Sequence, residues 1–350
     1  MADISTRKSD HLDLATSGNV AFRSTTTLLE CVRLVHDSLP ELAVEAIDPS
    51  TRVLGKTLRV PLLIAGMTGG TERAERINRE LSSIAEERGY AFGLGSQRAM
   101  LKKPETRASY AVRDVAPTAL LLSNIGGVQA VTMSTDAVRE LVESVGADAL
   151  CVHLNPAQEI IQADGDRDFR GVLDALARLD QELRVPVIAK ETGCGLSAGV
   201  ARKLKDAGIR HVDVSGAGGT SWVAVETERA EGPRRELGDR FREWGIPTAA
   251  SVGFVAAAGF RTIFATGGIS NGLEVCKAIA LGASAAGLAR VALQELERGG
   301  REGAVRFFEQ IELELRTTML LTGSRTLDEL RRAPRLVTGE LAEWIRQASG

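Results

Sequence analysis

Four polar side chains that can bind a ligand follow one short apolar segment of the chain. The segment, residues 149–152, has the length and hydrophobicity of a buried strand. The four side chains come directly after it: His153, Asn155, Gln158 and Glu159. Imidazole, amide and carboxylate groups placed together where a strand ends predict a binding or catalytic site. The alternative is a solvated loop in which the Asn-Pro pair forms a turn.

Eight apolar runs typical of buried strands recur along the chain, and each ends in a polar or glycine-rich exit. They are residues 61–65, 90–93, 119–122, 149–152, 186–189, 211–214, 262–265 and 285–288. Segments with helical spacing separate several of them: 73–88, 135–145, 168–183, 197–207 and 272–281. This alternation predicts an α/β TIM (β/α)8 barrel, whose parallel strands are buried on both faces. A doubly wound open sheet is the alternative, but no G-x-G-x-x-G follows the first strand.

The chain divides into an arm and a barrel. Residues 1–58 are expected to form an N-terminal arm and lead-in, and residues 59–350 the barrel with its additions. The segment 226–244, after the sixth strand, is dense in charge and predicts an exposed, mobile insertion over the site. Helical spacing in 303–321 and 339–347 predicts extra C-terminal helices on the outside or bottom of the barrel.

Composition excludes several classes of protein. With 350 residues, 44% of them hydrophobic, the chain can bury a sizeable core. A net charge of -3 argues against a nucleic-acid or anionic-membrane partner, since both require an excess of Lys and Arg. The four cysteines are widely spaced, which suits a reducing cytoplasm, and no apolar run is long enough to span a bilayer. We therefore expect a cytoplasmic protein with a small-molecule substrate.

The strand exits are the places to look for further site residues, because the carboxyl ends of barrel strands face one shared mouth. The first five exits include Gly66-Met67-Thr68, Gly95-Ser96-Gln97-Arg98, Ser123-Asn124, His153-Leu154-Asn155 and Lys190-Glu191. A lysine at the end of an apolar strand needs an anionic partner. Lys190 therefore either pairs with a neighbouring carboxylate or faces a ligand. His211, at the start of a strand, is expected at the opposite, stabilising face.

The sixth and seventh exits are rich in glycine and precede helix N-termini. They contain Ser215-Gly216-Ala217-Gly218-Gly219-Thr220 and Thr266-Gly267-Gly268-Ile269, and Ala289-Arg290 closes the eighth strand beside them. Backbone N–H groups in such loops bind phosphate, and barrels commonly place a phosphate after strands seven and eight. The pair of loops indicates a phosphate monoester such as the tail of FMN.

Taken together, these motifs and an Arg7-Lys8-x-x-His11 sequence in the arm resemble the type 2 isopentenyl diphosphate isomerase family. The match runs from the arm to about Arg290. It implies an FMN-dependent TIM barrel that interconverts isopentenyl and dimethylallyl diphosphate with reduced FMN and Mg2+, and with NADPH as the reductant. It also implies a homo-oligomer, either a tetramer or an octamer.

The resemblance further implies roles for individual residues. FMN would be bound by Gly66, Met67, Thr68, Ser96, Asn124, Lys190, Ser215, Thr220, Gly267, Gly268, Ala289 and Arg290. The substrate would be bound by Arg7, Lys8, His11, Ser96, Gln97, Arg98, His153, Asn155 and Gln158. Gln158 and His153 would be the catalytic residues, and Glu159 would hold Mg2+, which takes few protein carboxylates. Lys190 would neutralise charge on the reduced flavin ring.

Three other functions remain open at this point. An FMN-dependent hydroxy-acid oxidase would need a His-Gly-x-Arg arrangement after the sixth strand, where this chain has Ser-Gly-Ala-Gly-Gly-Thr. An IMP-dehydrogenase-like barrel would need a nucleophilic loop cysteine, for which Cys194 is the candidate. A non-catalytic flavin- or phosphate-binding barrel is the third alternative, and it would not need Glu159 beside Gln158.

Overall fold

The computed structural model describes residues 4–17 and 19–348, apart from the side chains of residues 4–9, 17, 102 and 348. Its strands are β1 (Val32–Leu34), β2 (Thr51–Val53), β3 (Lys56–Leu58), β4 (Leu62–Ile64), β5 (Ala91–Gly93), β6 (Leu120–Gly126), β7 (Ala149–Leu154), β8 (Val187–Glu191), β9 (His211–Asp213), β10 (Thr262–Thr266), β11 (Ala285–Leu288) and β12 (Arg335–Val337).

Fifteen α-helices lie within the described residues. They are α1 (Ile4–Ser17), α2 (Glu72–Arg88), α3 (Arg98–Lys102), α4 (Gly127–Thr132), α5 (Thr135–Ser144), α6 (Pro156–Ile161), α7 (Val172–Glu182), α8 (Ala198–Asp206), α9 (Trp222–Arg229), α10 (Gly232–Phe241), α11 (Thr248–Ala257), α12 (Gly272–Ala280), α13 (Arg290–Leu321), α14 (Leu327–Arg332) and α15 (Gly339–Ala348). Short 3-10 turns occur at Leu29–Cys31, Val44–Ala46 and Pro104–Tyr110.

Strands β4 to β11 form a closed parallel barrel, as the sequence predicts. Each strand pairs with the next in the chain, and β11 closes the barrel by pairing with β4, with Ala286 opposite Leu62. All eight strands overlap the apolar runs that define them in the sequence. Continuous apolar sequence gives this result because each strand is covered by side chains inside the barrel and by helices outside it.

A hairpin from the N-terminal segment closes one end of the barrel. Val53 and Leu58, from β2 and β3, pack against the buried side chains inside the barrel. Lys56 donates to the carbonyl oxygen of Thr118 at 3.0 Å and pairs with Asp148 at 2.8 Å, and both partners lie just before barrel strands. The hairpin therefore covers the end from which the strands begin, and leaves the opposite mouth open.

Two helices differ from the sequence-based expectation for local reasons. The segment predicted as 168–183 becomes helical only at Val172, because Gly171 has a left-handed conformation with φ of 79° at the helix N-terminus. The helix predicted over 303–321 is the second part of α13, which starts at Arg290 and bends at Gly300. Helix α15 covers the second predicted C-terminal helix.

The charged insertion is more ordered than the sequence predicts. It forms α9 and α10, which pack together so closely that a Cβ on Gly238 would lie 2.0 Å from Oγ1 of Thr227. Residues 231–237 are exposed, as expected, but Glu226 and Thr227 are buried. The expectation of an exposed segment is therefore wrong for its first residues, because they belong to a helix that packs on the barrel mouth.

The arm contacts the C-terminal part of the chain and the insertion after β9. Val32 in β1 pairs antiparallel with Val337 in β12, and α1 packs on α13 and α9. The division of the chain at residue 58 remains a prediction. Within the described residues, no helix combines the length and the apolar character that a membrane span requires.

Replacing Leu63 by alanine should strongly destabilise the barrel. Its side chain is 2% exposed inside the barrel, and deleting a buried leucine side chain costs about 2–5 kcal/mol. The matched control is Leu313→Ala on α13, where the side chain is 60% exposed and the expected change is below about 0.5 kcal/mol. Urea denaturation measures both free energies of unfolding, and equal losses would contradict the packing described here.

Candidate active site

A cavity of about 400 Å3 lies at the open mouth of the barrel. Residues from the barrel strand exits and from the arm line it. Nearly all the site residues named from the sequence are among them: His11, Gly66, Met67, Thr68, Ser96, Arg98, Asn124, His153, Asn155, Gln158, Glu159, Lys190, Ser215, Thr220, Gly267, Gly268, Ala289 and Arg290. The volume lies within the range typical of small-molecule sites.

Hydrogen bonds orient the four polar side chains at the end of β7, which are His153, Asn155, Gln158 and Glu159. Proline at the first position of α6 fixes the start of that helix and places Gln158 and Glu159 in its first turn. Nδ2 of Asn155 donates to Oε1 of Gln158 at 3.2 Å and to Oε1 of Glu159 at 3.0 Å. Nδ1 of His153 lies 2.8 Å from Oδ1 of Asn124, so the oxygen accepts and the proton is on Nδ1. The side chains of this group are therefore oriented by one another.

Glu159 is buried but still borders the cavity. Its side chain is only 6% exposed, and its Oε2 accepts the backbone N–H of Asp166 at 2.7 Å. Each carboxylate oxygen thus accepts one hydrogen bond and keeps a further lone pair. Within the described residues no group of three or more His, Cys, Asp or Glu side chains is arranged around a metal position. A cation here would therefore take one protein carboxylate and complete its shell with water or ligand oxygens.

Sequence reasoning missed Glu226, which connects the arm, the insertion and the group after β7. Its Oε1 accepts a hydrogen bond from Nε2 of Gln158 at 3.1 Å and lies 3.0 Å from Nε2 of His11. Its Oε2 lies 2.9 Å from Arg229. Burial alone would raise the pKa of Glu226, but His11, Gln158 and Arg229 lower it below its usual value. The carboxylate is therefore ionised and holds the Gln158 amide in place.

A signal for Glu226 is present in the sequence. It lies four residues after Trp222, and therefore on the same face of α9. The Trp222 ring packs edge-on against the ring of His11, with centroids 5.3 Å apart. The aromatic residue and the glutamate thus form one surface of α9 that faces the arm.

Lys190 resolves the two alternatives left by the sequence, because it both borders the cavity and has a carboxylate partner. Its Nζ lies 2.7 Å from Oδ2 of Asp213, and both side chains are nearly completely buried. Oδ1 of Asp213 accepts hydrogen bonds from the hydroxyl of Thr266 and from the backbone N–H of Ser215. Asp213 was not predicted from the sequence, although a carboxylate inside an apolar strand was the signal.

The glycine-rich exits after β9 and β10 pack against each other at backbone distance. Gly267 has φ of 102°, and a Cβ there would lie 2.2 Å from the carbonyl oxygen of Gly216. A Cβ on Gly219 would lie 2.4 Å from the backbone nitrogen of Gly268. No acceptor among the described residues pairs with the backbone N–H groups of Gly267 and Gly268. These N–H groups suit an anion, as the sequence predicts for this pair of loops.

Backbone hydrogen bonds hold the arm against the sixth exit. Phe22 donates to the carbonyl of Gly219 at 3.0 Å, and Ser221 donates to the carbonyl of Val20 at 2.8 Å. Nε of Arg290 donates to the carbonyl of Ala15 at 2.9 Å. The arm is therefore one wall of the cavity, and the barrel alone would leave that side open.

Glu243, at the end of the insertion, anchors the next part of the arm. Its carboxylate accepts the backbone N–H groups of Arg23, Ser24 and Thr25, each at 2.9 Å. Partial burial would raise the pKa of Glu243, but these three N–H groups and the hydroxyl of Ser24 lower it to about 2. The insertion and the arm are therefore coupled by an ionised carboxylate.

Three other substrate residues were named from the sequence, and the structure describes the side chain of one of them, Gln97. Gln97 is completely buried and does not line the cavity; its Oε1 accepts the hydroxyl of Ser123 and the backbone N–H of Asn124. This placement favours support of the β6 exit over direct substrate contact. The side chains of Arg7 and Lys8 lie outside the described residues.

Cys194, the cysteine required by the IMP-dehydrogenase-like alternative, is poorly placed as a nucleophile. It does not line the cavity, and its Sγ lies 3.3 Å from the carbonyl oxygen of Trp244. Burial, followed by the charge of Glu191, raises the pKa of the Cys194 thiol far above its usual value. A thiol in this state is a weak nucleophile. The cavity chemistry therefore belongs to the other side chains.

Comparison with known proteins first gives the class. Residues 156–337 match the family described as FMN-dependent dehydrogenase, which is more than half of the chain. A lactate oxidase from Pediococcus acidilactici has the same fold, with a TM-score of 0.69 and 16% identity over 97% of this chain and 96% of its own. A mandelate oxidase structure with benzaldehyde gives a TM-score of 0.66 at 18% identity, covering 94% of each chain. The fold and the family model define an FMN-dependent (β/α)8 barrel.

Closer sequence relatives then give the family. The isopentenyl-diphosphate delta-isomerase of Pyrococcus abyssi is 44% identical over 97% of this chain and 94% of its own length. The protein of the same name from a Synechococcus strain is 48% identical over 93% of this chain and 94% of its own. The chain belongs to the isopentenyl-diphosphate delta-isomerase family, which confirms the resemblance seen in its motifs.

Removing the Glu243 charge should change how stability depends on pH. Because its pKa is lowered in the folded state, this carboxylate contributes stability above its unfolded pKa of about 4.3, and the contribution disappears as the pH falls through about 2. We expect Glu243→Gln to be less stable than the native chain near neutral pH, with the gap narrowing toward pH 2. Urea denaturation across this range measures it, with Glu302→Gln on α13 as the control. Parallel curves would contradict the anchoring role.

Proposed function

We propose that this chain isomerises isopentenyl diphosphate to dimethylallyl diphosphate, using reduced FMN and Mg2+, in the synthesis of isoprenoid precursors. One observation carries the proposal: a single cavity combines a glycine-rich anion cradle and a buried lysine with the polar group of His153, Gln158 and Glu159. Membership of the isopentenyl-diphosphate delta-isomerase family supports the choice of reaction.

The residues of the mouth fit FMN. Its phosphate would lie against the N–H groups of Gly267 and Gly268, which have no acceptor among the described residues, with Arg290 at the same side of the cavity. Its ring would extend toward Lys190, which lies next to Asp213 in a nearly water-free position. Reduced FMN supplies a ring nitrogen that can give and take a proton, so an alkene can be isomerised without net oxidation. Ser96, Asn124 and Thr68 would bind the rest of the cofactor from the early strand exits.

Glu159 fits a Mg2+ ion that is shared with the substrate. Each of its oxygens keeps a lone pair after the bonds from Asn155 and Asp166. Mg2+ usually takes one or two carboxylates together with waters and phosphate oxygens, so a single glutamate beside a diphosphate is a suitable donor set. Glu159 would hold the metal, which would supply positive charge to offset the negative charge that the substrate brings into the cavity.

The reaction adds a proton to the terminal alkene carbon and removes another from the carbon next to the diphosphate-bearing one. No atom is gained or lost overall. The protein must therefore hold the alkene in place and keep water from adding to it. Gln158 is positioned for this, since its amide is fixed by Asn155 at one end and by Glu226 at the other. The ring of His153 is oriented by the hydrogen bond from its Nδ1 to Asn124, and it would contact the same substrate.

The diphosphate would bind between the arm and the early strand exits. Arg98 lines the cavity, and its Nη1 lies 3.6 Å from Oδ2 of Asp166, which is a long ionic contact. Arginine suits phosphate because its fork of N–H groups matches phosphate oxygens. Substrate contacts by Asn155, Ser96, His11, Arg7 and Lys8 also belong to this proposal, as do NADPH as the reductant, the homo-oligomer and a cytoplasmic location.

An FMN-dependent oxidase is the second candidate, favoured by the family-model match and by the fold shared with lactate and mandelate oxidases. Oxidation of a hydroxy acid requires a group that removes a proton and a cation that binds the carboxylate. The exit after β9 has neither a histidine nor an arginine between Ser215 and Trp222. The isomerase therefore remains the better account of this site.

An anaerobic assay tests the proposal. The protein is loaded with FMN, reduced, and given isopentenyl diphosphate and Mg2+, and dimethylallyl diphosphate is quantified. We expect product only with reduced FMN, and we expect Gln158→Ala to lower kcat by about 100-fold or more, because it removes a group held against the reacting alkene. The Glu159→Ala variant should require a higher Mg2+ concentration than the native chain to reach half of its maximal rate. Gln310→Ala, on the outside of α13, is the control. Unchanged turnover in the Gln158 and Glu159 variants would reject these roles.

The Lys190–Asp213 pair should tune the flavin in opposite directions. Positive charge near the ring favours the reduced anion, so Lys190→Met should lower the midpoint potential and Asp213→Asn should raise it. A change of roughly 30 mV corresponds to a tenfold change in the two-electron equilibrium, and we expect shifts of at least that size. Spectroelectrochemical titration measures the midpoint potentials. The control is Asp206→Asn, an exposed residue of α8. Shifts in the same direction for both variants would contradict the charge-pair account.

A further inference from the structure

A second cavity, of about 610 Å3, lies at the end of the barrel opposite the mouth. The β2–β3 hairpin forms one wall of it with Arg52, Leu54 and Gly55. The other wall comes from the end of α7 and from the residues that begin β8, β9 and β10. The chemistry proposed for the mouth uses none of these residues.

Positive charge is concentrated around this cavity. Arg184, Arg210 and Arg261 precede three neighbouring strands, so the parallel barrel brings them to one rim, and Arg52 joins them from the hairpin. The backbone N–H of Arg261 donates to the carbonyl of Arg210 at 2.8 Å, so these two residues are adjacent. Asp180 is the one carboxylate in the lining, where four guanidinium groups leave a net charge of three positive. The whole chain, by contrast, carries a net charge of -3.

Most of these arginines have no charged partner within the part of the chain that the structure describes. Among the described residues, Arg210 alone of the four forms an ion pair, a long one of 3.6 Å to Asp180. Arg52, Arg184 and Arg261 form no ion pair or side-chain hydrogen bond within the described residues. Elsewhere in the chain, arginines such as Arg113 and Arg178 form several side-chain hydrogen bonds each. The four arginines are exposed, so solvent weakens the repulsion between their charges, and a bound anion would offset what remains.

A buried histidine lies at the same cavity. His211 is 7% exposed, lines the cavity, and its Nδ1 has no hydrogen-bond partner among the described residues. Burial, followed by the charges of Arg210 and Arg261, lowers the pKa of His211 to about 4. The ring is therefore neutral near pH 7, and it responds to any change in the charge around it.

We propose that this cavity is a second anion site, which binds a small molecule carrying a diphosphate or similar oligophosphate group. Guanidinium groups from four separate segments can surround such an anion with paired N–H donors. Leu54, Leu183, Val185 and Pro186 supply an apolar wall on which a compact uncharged part of the same molecule can rest. The proposal is independent of the reaction at the mouth, because the two cavities share no residue.

Histidine NMR separates the two sites in the intact, FMN-loaded protein. The chain has four histidines, of which His11 and His153 lie at the mouth, His211 lies at the second cavity, and His36 lies at neither. The protein is labelled with carbon-13 histidine, and inorganic diphosphate is titrated at constant ionic strength. The signal that is absent from the His211→Gln variant is assigned to His211. We expect a saturable shift of the His211 signal and a rise in the pH at which it titrates, whatever happens at His11 and His153.

Charge variants then test where the anion binds. The double change Arg210→Gln and Arg261→Gln should weaken the His211 response by roughly tenfold or more, because two phosphate-binding forks are lost. The control is Arg202→Gln, an exposed arginine of α8, which should leave the response of the His211 signal unchanged. If the double variant does not fold, Arg52→Gln on the hairpin takes its place. An unmoved His211 signal at millimolar diphosphate, or an equal shift with sodium chloride alone, would overturn the proposal.

Discussion

The buried ion pair between Lys190 and Asp213 is the constraint on which the mouth of this barrel depends. Removing two charges from water costs several kcal/mol per ion, and an ion pair offsets this only with good geometry and further hydrogen bonds. Here Nζ and Oδ2 are 2.7 Å apart, and Asp213 also accepts bonds from Thr266 and Ser215. The pair therefore fixes the ends of three neighbouring strands and presents one cation to the cavity.

The barrel does not complete the site by itself. Its mouth is bounded on one side by the arm, which is held by backbone bonds to the sixth exit and by the ionised carboxylate of Glu243. Glu226 then connects His11 in the arm with Gln158 after β7. The site therefore combines side chains at the ends of the barrel strands with side chains from the arm and the insertion.

The sequence predicts the eight strands well, because strands buried on both faces are continuous apolar runs. It also predicts most residues that line the cavity, since strand exits of a parallel barrel must share one mouth. It misses Glu226 and Asp213, because their roles arise from contacts with residues distant in the chain. The motif does not distinguish Gln97 from its neighbours: Ser96 and Arg98 line the cavity, while Gln97 is buried and accepts hydrogen bonds from Ser123 and Asn124.

The proposed reaction is an isomerisation on an FMN-dependent barrel with no net electron transfer. The most direct measurement is the amount of dimethylallyl diphosphate formed per bound FMN after one stoichiometric reduction, with the excess reductant removed and oxygen excluded. We expect many product molecules for each flavin, with the absorbance of the reduced flavin unchanged at the end. Reoxidation of the flavin as isopentenyl diphosphate is consumed, with a reduced compound formed in place of dimethylallyl diphosphate, would contradict this expectation and identify the chain as an oxidoreductase.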